Sequence, residues 1–225
     1  MRLEKDRGSA MKIAIIGTGN IGQALGGSLV RAGHEVTFAG RNAEKTAQVA
    51  AQLGGSAAPT AADAAHGVDA IVLAVPAGEV EGVVAEIVSV VAGTVILDAT
   101  NPIKPDFSGL ANVGGLSVAE RVAELLPGAH VAKVFNTLFG AVQADPTTHG
   151  TKLDALYATD DDVAAAAVSE LASSIGFRAV RVGPLAAARE LEAVAWLNIR
   201  LQVLDGGDWR TSFVLVGAPA ASLAA

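Results

Sequence analysis

The chain contains no cysteine among its 225 residues. This absence excludes disulfide bonds, thiolate catalysis and cysteine-ligated metal sites. Four histidines are present, but no pair has the spacing of metal ligands, and no Gly-x-Ser-x-Gly nucleophile elbow occurs. We therefore expect neither a metal centre nor a nucleophilic serine of that type.

Long apolar runs and an excess of positive charge are also absent. The longest apolar candidate, residues 83–97, is interrupted by Glu86 and falls short of the ~18–20 residues that span a membrane. The formal net charge is −7, which disfavours a general surface for nucleic acid or anionic lipid. We expect no nucleic-acid partner and no membrane association, and an anionic cofactor must find positive charge locally.

The first ten residues are highly charged and lack the apolar region of a signal peptide. A second methionine, Met11, stands just before the first predicted strand. We expect residues 1–10 to be a mobile extension outside the fold, and a cytoplasmic location for the protein.

Apolar residues make up 51% of the chain, which suits a buried α/β core rather than disorder. Strand and helix patterns alternate along it. They predict an α/β fold: a Rossmann-type, doubly wound, mostly parallel sheet with a small C-terminal helical appendage. We expect one domain over residues 11–150 and a small region over residues 151–225 that caps the substrate or cofactor.

The most informative stretch is a short apolar strand that runs straight into Gly17-x-Gly19-x-x-Gly22, with a helical pattern after it. This is the order that a dinucleotide-binding βα turn requires. Gly17 permits the tight turn, Gly19 permits close approach of a pyrophosphate, and Gly22 permits tight packing of the helix on the strand. The alternative is an ordinary glycine-rich turn. The candidate cofactor contacts here are Gly17, Thr18, Gly19, Asn20 and Ile21.

The end of the second predicted strand, Phe38 to Asn42, carries no acidic residue. NAD-binding proteins usually place Asp or Glu there to bind the ribose 2′-hydroxyl. Arg41 instead suits a 2′-phosphate, and Lys45 lies on the same face of the next predicted helix. The alternative is that both are solvated residues of a helix start. We favour NADP, which makes residues 11–150 an NADP-binding domain, with Gly40, Arg41, Asn42 and Lys45 as candidate contacts.

Polar or turn-forming residues follow three further predicted strands. Because parallel strands end at a common edge, these exits should meet the cofactor. The candidate cofactor contacts are Ala74, Val75, Pro76, Thr100, Asn101, Asn136 and Thr137, and the candidate substrate contacts are Asn136, Leu138 and Phe139. Two alternatives stay open: Asp98 and Asn101 only cap turns, and residues 136–139 form a turn in the core.

The residues offer no convincing acid or base. His34, His66 and His130 precede predicted strands, so we expect surface positions at the amino edge of the sheet, whereas His149 falls in a loop. Lys133 lies inside a strand, and we expect its side chain to reach the edge. We therefore predict no catalytic side chain. Hydride exchange between two redox cofactors needs none, because the chemistry resides in the cofactors.

The C-terminal segment after residue 205 is short and rich in apolar residues. We expect this segment to fold back, either as a lid or as an edge element. Its apolar residues also suit a dimer surface, so a homodimer is expected.

Five segments together resemble one family, the NADP-dependent reductases of the deazaflavin coenzyme F420. They are Met11–Gly22, Ala39–Lys45, Asp98–Ile103, Lys133–Thr137 and Gly183–Glu190. The resemblance spans residues 11–204. It implies that Thr18, Gly19, Asn20, Ile21, Arg41, Lys45 and the Val75-Pro76 turn hold NADP. It also implies that the deazaflavin lies near residues 136–139 and the C-terminal helix.

Three functions are compatible with these features. The leading one is an oxidoreductase that transfers a hydride between NADPH and a small-molecule co-substrate, either coenzyme F420 or a flavin-like acceptor. The others are an NADPH-dependent reductase of a small carbonyl or imine, and a non-catalytic NADP sensor.

Overall fold

The computed structural model describes residues 10–111 and 114–217, in which strands and helices alternate. The predicted mobile extension lies outside the described residues, except for Ala10. The strands are β1 (Lys12–Ile16), β2 (Glu35–Ala39), β3 (Ser56–Ala57), β4 (Ala70–Leu73), β5 (Val95–Asp98), β6 (His130–Val134), β7 (Asp154–Ala158) and β8 (Arg178–Gly183). The helices are α1 (Asn20–Ala32), α2 (Ala43–Leu53), α3 (Ala61–Ala65), α4 (Val80–Ile87), α5 (Val118–Leu125), α6 (Gly140–Ala144), α7 (Asp162–Ser174) and α8 (Ala188–Asp205), with 3-10 helices at Ala77–Glu79 and Leu185–Ala187.

All eight strands form one sheet in the order β3-β2-β1-β4-β5-β6-β7-β8. Every neighbouring pair is parallel except β6 and β7, which are antiparallel. This confirms the predicted Rossmann-type sheet. The chain runs outward from β1 to β3 and then returns to β4, so a crevice opens between the carboxyl ends of β1 and β4, where ligands bind in such sheets.

The boundary expected near residue 150 coincides with the antiparallel junction between β6 and β7. The sheet continues across it, because β7 and β8 pair in parallel and extend the same sheet. The functional division at this point stays a prediction.

The core lies on both faces of the sheet because side chains alternate along each strand. Ile13 and Ile15 of β1 pack into one core with helices α1, α2, α6 and α7. Ala14 and Ile16 pack into the other with α3, α4, α5 and α8. Two covered faces explain why the central strands are apolar throughout.

His34 is buried rather than exposed, so the prediction of a surface turn residue is wrong for it. Its relative exposure is 8%. Nδ1 accepts a hydrogen bond from the N–H of Met11 at 3.2 Å, and Nε2 lies 2.9 Å from Oγ of Ser174. These contacts hold the neutral ring between β1 and α7. Burial lowers the pKa of His34, and the charge of Glu170 opposes that effect only in part.

We expect His34 to make stability depend on pH. Its pKa in the unfolded chain is about 6.5, and its pKa in the folded protein is lower. Below about pH 6.5 the unfolded chain therefore binds the proton more readily, and the free energy of unfolding falls as the pH falls toward the folded-state pKa. Urea unfolding at steps of about one pH unit between pH 8 and pH 5 measures the free energy of unfolding of the native protein and of His34→Gln, and so compares their pH dependence. Identical pH dependence in the two proteins would contradict the assignment.

No helix within the described ranges is long and apolar enough to cross a membrane.

Candidate functional site

The turn after β1 requires glycine at two positions. Gly17 has φ of +118°, and its N–H donates to the carbonyl of Ala39 at 2.8 Å. A Cβ on Gly17 would lie 2.3 Å from the carbonyl oxygen of Ala74, and one on Gly22 would lie 1.9 Å from the carbonyl oxygen of Gly17. Side chains at these positions would push β1, β4 and α1 apart.

Gly19 differs, because a Cβ there would meet no heavy atom of the described residues within 4 Å. Gly19 is the N-cap of α1, makes no side-chain cap, and is followed by a first turn without an acidic residue. The first N–H groups of α1 therefore have no capping side chain and lie beside open space. This arrangement, together with the helix dipole, favours an anion such as a phosphate.

A cavity of about 270 Å³ lies in front of this helix start. It is lined by Gly19, Asn20, Ile21, Ala74, Val75, Pro76, Ala99, Thr100 and Asn101. All but Ala99 are predicted cofactor contacts, and they come from the exits of β1, β4 and β5. The lining carries no ionisable side chain. The absence of a catalytic acid or base stays a prediction.

Arg41 does not line the cavity. Its Nη1 is 3.0 Å from Oε1 of Glu79, and 82% of the Arg41 side chain is exposed. The side chain of Asn42 accepts from the N–H of Lys45 at 2.9 Å and so caps α2. Gly40 faces the hydroxyl groups of Thr18 and Thr46. Because exposed ion pairs contribute ~0–1 kcal/mol, the guanidinium can exchange Glu79 for a phosphate at little cost.

Two asparagines join the exits of β5 and β6. Nδ2 of Asn101 donates to the carbonyl of Asn136 at 2.8 Å, and Nδ2 of Asn136 donates to Oδ1 of Asn101 at 2.9 Å and to the carbonyl of Leu191 at 3.1 Å. Asp98 caps the turn by accepting from the N–H of Thr100 at 2.9 Å. It also binds Nζ of Lys133, and Asn101 lines the cavity, so neither residue serves only to cap a turn.

Two buried atoms in this region have no hydrogen-bond partner within the described structure: Oγ1 of Thr100 and Oδ1 of Asn136. The residues are only 3% and 5% exposed. A buried polar atom without a partner costs ~1–3 kcal/mol. Thr100 lines the cavity, so a polar ligand group there would supply a partner for its Oγ1. Asn136, also a predicted cofactor contact, lines neither cavity and lies behind its hydrogen-bond partner Asn101.

The turn after β6 has a left-handed residue that is not glycine. Phe135 has φ of +64°, and Nε2 of Gln143 donates to the carbonyls of Phe135 and Leu138 at 3.1 and 2.8 Å. Leu138 packs into the core at 3% exposure and lines neither of the cavities described here. For Leu138 the structure favours the core-forming alternative. Thr137 is buried beside it.

Gln143→Leu should lower the free energy of unfolding by ~1 kcal/mol. The carbonyls of Phe135 and Leu138 would lose their donor, and removal of the buried Oε1, which has no partner among the described residues, offsets part of that loss. Urea unfolding at neutral pH measures the change. Unchanged stability would show that Gln143 does not hold the left-handed turn.

Phe139 faces a second, larger groove. The groove has a volume of about 710 Å³ and shares Asn20 and Ile21 with the first cavity. Its other lining residues are Gln23, Ala24, Arg31, Leu53, Phe139, Gly140, Ala141, Ala144 and Trp209. The rings of Phe139 and Trp209 pack edge to face, with centroids 5.2 Å apart. An aromatic wall therefore stands next to the cavity in front of α1.

The described part of the C-terminal tail, residues 206–217, folds back on the sheet. The N–H of Leu215 donates to Oδ2 of Asp154 at 2.6 Å, and Nη2 of Arg178 donates to the carbonyl of Leu215 at 2.7 Å. Nε2 of His149 lies 2.6 Å from the carbonyl of Arg210. His149 thus contacts the tail and does not line the cavity. Residues 218–225 of the predicted lid or edge element lie outside the described part.

Lys133 is fully buried, so the expectation that its side chain reaches the edge is wrong. Nζ lies 2.8 Å from Oδ2 of Asp98, 2.9 Å from Oε1 of Glu192 and 2.6 Å from the carbonyl oxygen of Thr100. Burial raises the pKa of Glu192, although Lys133 opposes this effect. The sequence did not reveal this group, because Asp98 and Lys133 become neighbours only through the register of β5 and β6.

Among the described residues, no group of three or more His, Cys, Asp or Glu side chains could hold a metal ion.

The geometry of this site can be set beside known proteins. Residues 12–102 match the family described as NADP oxidoreductase coenzyme F420-dependent. The F420-dependent NADP reductase of Methanothermobacter marburgensis is 34% identical over 209 residues, which cover 86% of this chain and 93% of the relative.

Two further similarities are informative. The crystal structure of a candidate F420-dependent NADP reductase from Arthrobacter sp. FB24 superposes with a TM-score of 0.82 at 27% identity, covering 92% of this chain and all of that one. The metalloreductase STEAP3 of Rattus norvegicus is 30% identical over 186 residues, which cover 82% of this chain but 36% of the relative. By its identity and coverage with the archaeal relative, this chain belongs to the family of F420-dependent NADP reductases.

Proposed function

We propose that this protein is an oxidoreductase that binds NADPH across the carboxyl edge of the sheet and transfers a hydride between it and coenzyme F420. The observation that carries the nucleotide part is the start of α1. Its N–H groups have no capping side chain, and a Cβ on Gly19 would meet no other described residue within 4 Å apart from its chain neighbours. The pyrophosphate of NADPH fits this open, positively polarised space.

The cavity in front of α1 supports a defined direction for the cofactor. Arg41 and Lys45 at the start of α2 would bind the 2′-phosphate, Arg41 through two parallel hydrogen bonds. The exits of β4 and β5 would line the path from the pyrophosphate to the nicotinamide. Domain 11–150 would then hold NADP, and the region after it would cover the second substrate.

The polar wall at Thr100 and Asn101, with Asn136 directly behind it, suits the nicotinamide end. Oδ1 of Asn136 is a buried acceptor without a partner in the described part of the chain, and the carboxamide of nicotinamide offers N–H donors. Oγ1 of Thr100 can donate to the carboxamide oxygen. When bound, NADPH supplies the hydride chemistry, and these residues orient the ring.

The second substrate would lie beside the aromatic groove. Ile21 lines both cavities, and Phe139 and Trp209 form an apolar wall next to it. A planar deazaflavin ring matches such a wall, and exclusion of water would protect the hydride during transfer. The protein's task is to hold two rings in contact.

The proposed reaction is tested by mixing the enzyme with NADPH and coenzyme F420 under anaerobic conditions. We expect oxidation of NADPH with stoichiometric bleaching of the deazaflavin. FMN, a ferric chelate and a cyclic imine serve as alternative acceptors. If one of these acceptors is reduced and the deazaflavin is not, that acceptor and not coenzyme F420 is the substrate. Tight binding of NADPH without its oxidation by any acceptor would favour an NADP sensor.

We also propose that the protein forms a homodimer through the C-terminal half of α8. Leu197, Leu201 and Leu204 are 51%, 42% and 71% exposed, and their spacing places them on one face of the helix. An apolar stripe of this kind marks an interaction surface.

Sedimentation velocity tests the dimer. The native protein should sediment as a dimer at micromolar concentration, and Leu197→Glu with Leu201→Glu should sediment as a monomer. Val88→Glu is the matched control, because Val88 is also 50% exposed but lies at the end of α4. A monomeric native protein would contradict the proposal. The cytoplasmic location stays a prediction.

A further inference from the structure

A network of buried charges lies behind the wall of the NADP cavity. It consists of one ammonium, Lys133, and two carboxylates, Asp98 and Glu192, whose side chains are 0%, 0% and 5% exposed. Oε1 of Glu192 also accepts from the N–H of Val118, at the start of α5, at 2.9 Å. Buried ion pairs are weak stabilisers, and apolar replacements of similar volume are often neutral or better. Stability alone is therefore a poor explanation for this network.

The network is continuous with the cavity on the β5 side. Nζ of Lys133 donates to the carbonyl of Thr100, and the N–H of Thr100 donates to Oδ1 of Asp98. Thr100 is thus held through both of its backbone groups by members of the network. Thr100 lines the cavity, and its Oγ1 has no partner among the described residues.

The network also reaches the exit of β6, where Asn136 lies behind the lining residue Asn101. Glu192 binds Lys133, and the neighbouring carbonyl of Leu191 accepts from Nδ2 of Asn136. Asn136 in turn pairs with Asn101. Together with the peptide links Thr100–Asn101 and Leu191–Glu192, these hydrogen bonds form a closed circuit through the exit of β5, the exit of β6 and helix α8. Within it, Lys133 binds Asp98, Thr100 and Glu192.

We propose that Lys133 is a positioning residue for the nicotinamide half of NADPH: it holds Thr100 directly, and Asn136 through α8, in the orientation that this half requires. The proposal rests on the proposed function. Lys133 does not line the cavity and acts only through these neighbours. Without its ammonium, Asp98 and Glu192 would face each other unneutralised, so the loop after β5 and helix α8 would separate, or a carboxyl group would take up a proton. Burial already raises the pKa of Glu192 and so favours that uptake.

The test compares two ligands that differ only in the nicotinamide half. NADPH spans the whole site, whereas adenosine 2′,5′-bisphosphate reaches only Arg41, Lys45 and the glycine turn. Calorimetry gives both affinities for the native protein and for Lys133→Met. We expect the bisphosphate affinity to stay within about twofold and the NADPH affinity to fall about tenfold. This readout needs neither coenzyme F420 nor turnover.

A second variant covers the case in which Lys133→Met fails to fold. Glu192→Gln leaves Lys133 paired with Asp98 and keeps an oxygen for the N–H of Val118, so it should fold. It should reduce NADPH affinity in the same sense by about threefold, again without a change for the bisphosphate. In both variants the rate of hydride transfer in a single turnover should fall more than the NADPH affinity does.

Arg178→Met is the matched control for a lost buried charge partner. Arg178 binds the buried carboxylate of Asp154 at 2.6 Å, at the start of β7 and β8 and outside the cavity. The Arg178→Met variant should lower the urea concentration at the unfolding midpoint. It should leave the ratio of the affinities for NADPH and the bisphosphate unchanged. The proposal is overturned if the folded Lys133 and Glu192 variants keep the native ratio of NADPH affinity to bisphosphate affinity, whether both affinities are unchanged or both fall by the same factor. A native protein that binds NADPH but transfers no hydride would refute the proposed reaction without affecting this ratio.

Discussion

Replacing Gly19 with valine should weaken NADPH binding about a hundredfold, or ~2.8 kcal/mol, without unfolding the protein. The backbone of Gly19 (φ −80°, ψ −170°) is open to any residue, and within the described ranges a Cβ there meets no atom within 4 Å beyond its chain neighbours. The new side chain would therefore occupy only the space assigned to the pyrophosphate. Loss of glycine at the N-cap costs up to ~1 kcal/mol of stability.

Calorimetric titration with NADPH and urea unfolding measure the two effects separately. Gly128→Val is the matched control, because a Cβ on Gly128 also meets nothing closer than 3.9 Å, in a turn outside the cavity. It should leave binding unchanged. Native NADPH affinity in Gly19→Val would show that the pyrophosphate lies elsewhere.

Arg41→Ala should weaken NADPH binding about 10- to 100-fold and leave NADH binding unchanged. The expected loss corresponds to ~1.5–3 kcal/mol for hydrogen bonds to a charged group. The side chain is 82% exposed, so its removal leaves no cavity and little effect on stability. Fluorescence titration with both dinucleotides gives the selectivity directly.

Glu79→Gln supplies the control for the ion pair. Glu79 competes with the phosphate for Arg41, so this variant should keep its preference for NADPH and bind it slightly more tightly, by no more than about fivefold for an exposed pair. If Arg41→Ala weakens NADPH and NADH equally, the guanidinium does not recognise the 2′-phosphate.

Much of the cavity could be predicted because its lining is mainly backbone at strand ends. The spacing of Gly17, Gly19 and Gly22 encodes the shape of a turn, and parallel strands bring the exits at Pro76 and Thr100 to one edge whatever the loops do. These features depend on local sequence and on the direction of strands, both of which can be read along the chain.

The rest depends on contacts between distant segments. Lys133 is buried because strand register places it beside Asp98 and because α8 supplies Glu192 from 59 residues further along. His34 is buried against Ser174, which lies 140 residues further along the chain. Trp209 reaches Phe139 only when the tail folds back. No local pattern contains these pairings.

The turn after β6 shows the same limit on a smaller scale. Asn136 and Leu138 are two residues apart, yet one joins the polar wall and the other packs into the core. The left-handed conformation of Phe135, held by Gln143, sets which side chain faces which way. A non-glycine residue in this conformation costs ~1–2 kcal/mol and is hard to foresee from residue type.

We expect a hydride to pass directly between NADPH and the deazaflavin ring. Anaerobic turnover with NADPH carrying deuterium at nicotinamide C4, followed by mass spectrometry of the reduced coenzyme F420, measures this transfer. We predict that deuterium from one of the two C4 positions appears in the deazaflavin and that none is lost to water. Reduced deazaflavin without the label, or no reduction at all, would contradict the account.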